Sequence, residues 1–344
     1  MVGVRLVADA ADSSPAAARR LPWSRFWHYD RAVTLIYGCM GLGGDWSGSQ
    51  LTQDDVDAAE RAVQAALEIG ISWFDQADIY RAGKSEEALG KVLQRNPGLR
   101  DRISIQTKCG IRLGEHGLEA YYDLSKRAIL ERVEGSLRRF GIDRLEILLL
   151  HRPDPLLEPE EVAAAFDELN VAGKVGSLGV SNMSGAQMEF LQRALDAPLV
   201  VNQLEMSLLK RDWIESGILI NHPDSVSVGF PHGTVEYCRT HQVRLQAWGA
   251  LAQGIYSGAP AREHSPAAEA AAALVTSMAR EKDTTAEAIV LGWLMRHPAG
   301  VEPVIGSTNP VRIRACQDAE AQAAAMTNVE WYALYLAARG QNVP

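Results

Sequence analysis

The amino-acid sequence predicts an α/β protein built as a single (β/α)8 TIM barrel, with an N-terminal extension and long loops at the C-terminal face. Short β-branched, apolar segments alternate with longer segments of helical periodicity from residue 33 onward, which implies parallel strands joined by right-handed crossovers. The strand segments are apolar on both faces, as buried parallel sheets require. There are eight of them, and a closed barrel accounts for eight repeats better than an open sheet with two edges to protect.

The first four strands are predicted at residues 34–40, 71–75, 103–107 and 145–150. The helices of this half are predicted from about Gln53 to Gly70, over 86–93 and from Ser125 to about residue 140. Thr52 is a suitable N-cap for the first helix because Asp55 follows three residues later, and Gly70 is a suitable end. Residues 1–30 are predicted to form an extension that precedes the barrel domain at 31–344.

The last four strands are predicted at residues 177–180, 199–202, 245–248 and 302–305, with helices over 160–172, 185–195, 234–240, 267–280 and 285–295. Residues 206–233 interrupt this rhythm, since they contain turn-forming residues and have weak periodicity. They predict a long loop at the C-terminal rim after the sixth strand. Long rim loops often shape access of the substrate, and we assign specificity to this one.

The composition is that of a soluble globular protein, with 47% hydrophobic and 22% charged residues. A net charge of −9 without a block of Lys and Arg disfavours nucleic acid and anionic membranes as partners. No apolar run approaches the ~20 residues of a membrane span, and the first thirty residues lack the shape of a signal peptide. The four scattered cysteines predict buried, reduced thiols in a cytoplasmic protein. The sequence leaves the oligomeric state open.

Four polar residues follow the second, third and fourth strands, namely Asp75, Tyr80, Lys108 and His151. In a TIM barrel the C-terminal ends of all strands open on one face, where active sites lie. We therefore predict that these four side chains meet at one mouth. A single lysine at a strand end is more often a solvated rim residue, but the phenol, carboxylate and imidazole beside it favour a catalytic interpretation.

These four groups suit proton delivery to the carbonyl group of a small substrate. Tyr80 alone is a weak acid, with a reference pKa near ~10. The sequence predicts that the Lys108 ammonium lowers the pKa of Tyr80, that Asp75 keeps the ammonium charged, and that His151 orients the carbonyl oxygen. The hydride must come from a cofactor. A metal-dependent hydrolase is a rival, but only His151 and Asp75 are candidate ligands and no His-x-His occurs, so no metal site is predicted.

A second group of strand-end residues suits a dinucleotide. Ser181, Asn182 and Gln203 can hydrogen-bond a carboxamide, and Trp248 offers a face for stacking, although it is also suited to core filling. Gly249 and Leu251 follow Trp248 and are assigned to the same site. The other end of the cofactor is predicted to lie at the start of a helix whose free N–H groups favour phosphate, and these residues are Gly306, Ser307, Thr308 and Arg312, with Arg314 nearby.

At these positions the sequence resembles the aldo-keto reductase superfamily, over about residues 33–325. The matching segments are Asp75-Gln76-Ala77-Asp78-Ile79-Tyr80, Thr107-Lys108-Cys109-Gly110-Ile111, His151-Arg152-Pro153-Asp154, Gly179-Val180-Ser181-Asn182, Asn202-Gln203 and Ile305-Gly306-Ser307. They are closest to the bacterial branch. The resemblance implies that Tyr80 is the proton donor, that Lys108 and Asp75 tune it, and that His151 orients the substrate. It also implies that NADP(H) is bound without a Rossmann motif, and no G-x-G-x-x-G is present among the early glycines.

This chain departs from the family pattern at three positions. Gly306 stands where many members have lysine, Cys316 where asparagine is frequent, and Arg81 where glycine is common. A preference for NADPH over NADH therefore depends on Arg312 and Thr308, and Arg81 is predicted to narrow the pocket or change the loop. A nucleotide-binding regulatory subunit of the potassium-channel β type is the alternative function, because such subunits resemble the same superfamily.

Overall fold

The computed structural model describes residues 34–47, 50–114, 117–259 and 265–344, and the predicted extension over 1–30 lies outside them. Eight parallel strands close into a barrel, as predicted. The barrel strands are β1 (Ile36–Gly38), β2 (Trp73–Asp75), β3 (Ser104–Cys109), β6 (Leu145–Leu150), β7 (Val175–Ser181), β8 (Val201–Glu205), β9 (Arg244–Trp248) and β10 (Glu302–Ile305).

The strands follow the order β1-β10-β9-β8-β7-β6-β3-β2 around the barrel, so β2 and β3 lie opposite β8 and β9. The register places Asp75 of β2 beside Gln106 of β3. On the other side, Gln203 of β8 lies beside Gln246 of β9. Register partners on parallel strands point to the same face, so these two pairs lie at comparable places on opposite walls of the barrel.

The helices pack around the barrel. They are α1 (Gln53–Glu68), α2 (Lys84–Arg95), α3 (Lys126–Phe140), α4 (Pro159–Val171), α5 (Gly185–Gln192), α6 (Asp212–Ile218), α7 (Thr234–Thr240), α8 (Pro266–Glu281), α9 (Ala286–Met295), α10 (Pro310–Arg314), α11 (Ala319–Ala325) and α12 (Asn328–Arg339). Thr52 and Asp55 form the predicted capping box of α1, and Ser125 caps α3. Gly70 has a φ of 88° at the position after the C-cap Ile69, which explains why the helix ends here.

Three parts of the chain differ from the sequence prediction. The helices α11 and α12 after the last strand were not predicted. An antiparallel hairpin, β4 (Ile111–Leu113) and β5 (Ala120–Tyr122), extends from the end of β3 and was not predicted. Residues 206–233 are not an irregular loop, because they contain α6 and a 3-10 helix at Pro223–Ser227. A seven-residue helix is too short to show a clear period, and its stability comes from packing.

The 206–233 segment is anchored to α12 by buried polar contacts and to α9 by an aromatic contact. Glu215 of α6 accepts a hydrogen bond from the Tyr335 hydroxyl at 2.7 Å and lies 3.1 Å from Arg339 Nε. Trp213 is buried and packs edge-on against Trp293, with ring centroids 6.1 Å apart. Trp213 therefore belongs to the packing between helices.

The four cysteines Cys39, Cys109, Cys238 and Cys316 are free and buried, as predicted. Among the described residues, no helix is long and apolar enough to cross a membrane. The same part of the chain has no group of three His, Cys, Asp or Glu side chains arranged to hold a metal ion.

Candidate active site

Lys108 is the centre of a polar cluster at the C-terminal ends of β2 and β3. Its Nζ lies 2.7 Å from each carboxylate oxygen of Asp75, 2.9 Å from the carbonyl oxygen of Gln76 and 3.2 Å from the Tyr80 hydroxyl. Lys108 and Asp75 are 1% and 2% exposed. A buried ammonium requires a compensating charge and acceptors, and these neighbours provide both. The structure thus brings three of the four predicted catalytic residues into contact.

His151 directly follows β6 and lies beside Tyr80. The two rings meet edge to face, with centroids 5.9 Å apart and an angle of 81° between their planes. The backbone N–H of His151 donates to the carbonyl oxygen of Cys109 at 2.8 Å, which fixes its position next to β3. Within the described chain, the buried Nδ1 of His151 has no hydrogen-bond partner.

Tyr80 stands at the start of a tight turn with unusual backbone geometry. The next two residues, Arg81 and Ala82, have φ values of 53° and 57°, in the left-handed region that favours glycine. Arg81 Nε donates to the carbonyl oxygen of Met40 at 3.0 Å, and its guanidinium lies 5.1 Å from the ring centroid of Trp46. Arg81 thus contacts the loop after β1, and its predicted effect on the pocket or the loop stays a prediction.

Burial sets the pKa values of the catalytic groups more strongly than the sequence suggested. Burial raises the pKa of Tyr80; Lys108 lowers it, Asp75 raises it, and the net shift is upward. Lys108 lowers the pKa of Tyr80 as predicted, but burial outweighs this effect, which the sequence prediction did not take into account. Burial alone would lower the pKa of Lys108. Asp75 and Tyr80 raise this pKa by more than burial lowers it, so the net shift is upward and Lys108 stays an ammonium ion. Burial, with help from Lys108 and Arg152, lowers the pKa of His151 well below its usual range, so this imidazole is neutral.

The predicted carboxamide-binding residues lie together at the ends of β7, β8 and β9. Asn182 Nδ2 donates to Ser181 Oγ at 2.7 Å, and Trp248 Nε1 donates to Asn182 Oδ1 at 3.1 Å. The Ser181 hydroxyl donates to the backbone oxygen of Gln203 at 2.9 Å. Asn182 has a φ of 58°, a conformation that asparagine tolerates better than most residues. These residues fix one another and retain acceptor lone pairs on their side-chain oxygens.

The predicted phosphate-binding residues lie at the end of β10, but the helix begins later than expected. α10 starts at Pro310, with Asn309 as its N-cap, so Gly306, Ser307 and Thr308 form the approach to the helix. Asn309 Oδ1 accepts from Val311 N at 2.9 Å, which removes one of the free N–H groups.

Arg312 lies between two neighbouring elements. Its Nε is 3.9 Å from Glu287 of α9, and a Cβ built on Gly254 would lie 2.5 Å from its Nη2. The structure therefore places Arg312 against the loop after β9, which carries Gly249 and Leu251. Arg314 is held elsewhere, at 2.7 Å from Glu68 of α1.

Sequence reasoning missed two residues of the site, Gln106 and Gln246. Gln106 Nε2 donates to Asp75 Oδ1 at 2.7 Å, and Gln246 Oε1 accepts from Gln203 Nε2 at 3.0 Å. Both glutamines are fully buried inside the barrel. The available signal was a polar amide in the middle of an otherwise apolar strand, since a buried amide must have partners.

Comparison with known proteins identifies the family. The model of the aldo/keto reductase family matches residues 34–327. The chain belongs to the aldo/keto reductase family. A curated relative, 6-dehydroglucose reductase of Agrobacterium fabrum, is 36% identical to this family member over 318 residues, which cover 90% of this chain and 95% of the relative.

Solved structures agree with the assignment of the fold. Glycerol dehydrogenase from Gluconobacter oxydans has a TM-score of 0.71 and 26% identity, with coverage of 90% of this chain and 92% of that chain. An aldo-keto reductase from Klebsiella pneumoniae, solved in complex with NADPH, has a TM-score of 0.66 and 23% identity, with coverage of 88% and 89%.

Proposed function

We propose that this protein is an NADPH-dependent carbonyl reductase that transfers a hydride to an aldehyde or ketone, with Tyr80 as the proton donor. The observation that carries the proposal is the chain of contacts from Asp75 through Lys108 to the Tyr80 hydroxyl, at 2.7 Å and 3.2 Å, with His151 beside Tyr80. An acid held next to a fixed ammonium and a neutral imidazole suits the carbonyl oxygen of a substrate.

Each residue of the set has a separate task. The Tyr80 hydroxyl gives its proton to the carbonyl oxygen, and the Lys108 ammonium at 3.2 Å stabilises the phenolate that results. Asp75 holds the ammonium in place through both carboxylate oxygens. The neutral imidazole of His151 donates one N–H to the carbonyl oxygen, which fixes the substrate relative to Tyr80.

The residues at the ends of β7 to β10 fit a nicotinamide dinucleotide. Asn182 Oδ1, Ser181 Oγ and Gln203 Oε1 offer acceptors to the amide N–H groups of a carboxamide, and the Trp248 ring lies beside them. A Cβ at Gly306 would meet no atom within 4 Å, which leaves the backbone of Gly306 open to a phosphate. When bound, the reduced nicotinamide supplies the hydride.

Sugar aldehydes are the first substrates to assay. The 36% identical Agrobacterium relative is named for the reduction of 6-dehydroglucose, and the present chain spans 95% of it. Simple aldehydes and ketones complete the panel, since the catalytic set acts on the carbonyl group alone. The free, buried thiols suit a cytoplasmic enzyme.

Tyr80→Phe tests the proton donor. We expect carbonyl reduction to fall ~10²–10⁴-fold because the variant lacks the general acid, while the dissociation constant for NADPH stays near that of the parent. NADPH consumption at 340 nm and fluorescence titration measure the two quantities. Tyr122→Phe, at a tyrosine that is 41% exposed, is the matched control and should change neither.

The same assay separates this proposal from the regulatory alternative. A carbonyl reductase consumes NADPH through many turnovers, whereas a nucleotide-binding subunit binds it and releases it unchanged. Unaltered turnover in Tyr80→Phe would disprove the role of Tyr80, and absence of turnover in the parent with the whole panel would favour the regulatory function.

A further inference from the structure

Three glutamines form a polar cluster across the interior of the barrel, directly below Asp75. We call Gln106, Gln203 and Gln246 the barrel glutamine cluster. They come from β3, β8 and β9, and each is at most 2% exposed. The interior of a TIM barrel is normally filled by branched apolar side chains. Amides here therefore require a specific reason, because each must find hydrogen-bond partners without water.

The cluster connects opposite walls of the barrel through hydrogen bonds between side chains, and Gln246 also bonds Glu302 of β10. Gln106 Nε2 donates to Gln246 Oε1 at 2.7 Å, and Gln246 Nε2 donates back to Gln106 Oε1 at 3.0 Å. Gln203 Nε2 donates to the same Gln246 oxygen at 3.0 Å and to Asp75 Oδ1 at 2.9 Å. Every N–H in these contacts meets an oxygen, so the network defines one orientation for each amide.

The orientation of Gln203 matters for the cofactor. Both N–H groups of its amide are used, one by Asp75 and one by Gln246, and a flipped amide would set its oxygen against both of these oxygens. Its Oε1 is therefore the group left for a ligand. Gln203 is the register partner of Ser181, so this oxygen belongs to the predicted carboxamide site.

The position of Gln106 matters for Tyr80, the proposed proton donor, because Gln106 bonds Asp75. Asp75 Oδ1 accepts three hydrogen bonds, from Lys108, Gln106 and Gln203, at 2.7 Å, 2.7 Å and 2.9 Å. Each donor takes up part of the negative charge of the carboxylate. Without Gln106, Asp75 would act more strongly on Lys108 and on Tyr80, whose pKa Asp75 already raises.

We propose that Gln106 and Gln246 are positioning residues of the active site. Gln106 holds the Asp75 carboxylate in line with Lys108, and Gln246 holds the Gln203 amide with its oxygen toward the nicotinamide. The cluster thereby couples the proton donor to the cofactor site through the barrel interior. This inference rests on the proposed function, since it assigns tasks within the same reaction.

Methionine variants test the proposal, because methionine keeps the volume of glutamine and removes its hydrogen bonds. For Gln246→Met we expect the NADPH dissociation constant to rise about tenfold, measured by quenching of protein fluorescence, as one oriented hydrogen bond is lost. For Gln106→Met we expect kcat to fall about tenfold with little change in KM, and the alkaline limb of the kcat profile to move up by ~0.5–1 pH unit as the pKa of Tyr80 rises.

Gln192→Met is the matched control. Gln192 is the last residue of α5, outside the barrel interior, and its amide bonds the backbone of Ala197 and Leu199 at 2.9 Å and 2.8 Å. Loss of these hydrogen bonds should lower the melting temperature without changing the NADPH affinity or the pH profile. A single variant leaves the amide of the other glutamine without its partner, which can prevent folding. In that case the double variant Gln106→Met/Gln246→Met removes both amides together.

The outcomes are distinguishable. A folded Gln246→Met that binds NADPH like the parent, or a folded Gln106→Met with an unmoved pH profile, overturns the assigned role while the proposed function stands. A parent that binds NADPH without turnover overturns the reductase function and the role of Gln106, and the affinity of Gln246→Met then decides the other role. A parent that neither binds nor reduces overturns both.

Discussion

Asp78 is a carboxyl group that the fold buries with little compensation. Its side chain is inaccessible to solvent, and Arg132 Nε lies 3.7 Å from its Oδ2. Within the described residues neither carboxyl oxygen makes a hydrogen bond of good geometry, although the backbone N–H of Ile79 lies near enough to lower its pKa. Burial raises the pKa of Asp78 to about 7, with a further increase from Glu86 and a decrease from Arg132 and Arg139. The protein therefore retains a proton here at a pH where a free aspartate has lost it.

The raised pKa of Asp78 makes the free energy of unfolding depend on pH. The group ionises near 3.8 when the chain is unfolded but near 7 when it is folded, so stability is full below about pH 4 and falls as the pH rises to about 7. The parent should lose up to ~4 kcal/mol of unfolding free energy between pH 4 and 7.5 through this group, and Asp78→Asn should not lose this amount. Urea titrations at both pH values measure the difference. Exposed Asp101→Asn is the charge-matched control, and parallel pH curves for parent and Asp78→Asn would contradict the assignment.

The turn after Tyr80 contains a strained backbone directly beside the proposed proton donor. Ala82 has a φ of 57°, a conformation that is strained for a residue with a Cβ atom. Because Ala82 is exposed, its methyl group gains no packing that would offset this strain. For Ala82→Gly we expect an increase in unfolding free energy of ~0.5–1 kcal/mol, measured by thermal melting. Gly83→Ala is the opposite control, since Gly83 has a φ of 91° and its added Cβ would lie 3.1 Å from Arg139. A lower melting temperature for Ala82→Gly would show that this conformation carries no strain.

At the level of elements, the sequence predicted what local signals specify. The capping box at Thr52 and Asp55 and the glycine at 70 are local, and α1 was predicted within two residues of its observed ends. The β4–β5 hairpin has strands of three residues each, too short for an alternation to appear. α6 was missed for a different reason, because Glu215 is held by Tyr335 and Arg339, more than a hundred residues away in the chain.

At the scale of the whole molecule, closure of the barrel brings residues that are far apart in the sequence into contact. Asp75, Tyr80, Lys108 and His151 were predictable because each lies at or shortly after the C-terminal end of one of three neighbouring strands, and these ends meet by the topology alone. Gln106 and Gln246 were not, because their contact spans 140 residues and depends on which strands lie opposite each other. The start of α10 was predicted too early. Ser307, Thr308 and Asn309 are all suitable N-caps, and in the structure Asn309 caps the helix.

The stability of the whole barrel should report which nucleotide it binds. A ligand that binds only the folded state at about 100 times its dissociation constant stabilises the protein by ~2.7 kcal/mol, so saturating NADPH should raise the melting temperature by a few degrees. Arg312 lies against the loop after β9. We predict that it binds the 2′-phosphate, so NADPH should stabilise the protein more than NADH does.

Arg312→Ala should remove that difference between the two nucleotides and leave the effect of NADH nearly unchanged, because only NADPH has the 2′-phosphate. Thermal melting of parent and variants with each nucleotide measures it. Arg314→Ala is the matched control, since this arginine is bound to Glu68 and should leave the difference intact. If Arg312→Ala weakens stabilisation by both nucleotides equally, the arginine contacts a part that they share, such as the pyrophosphate.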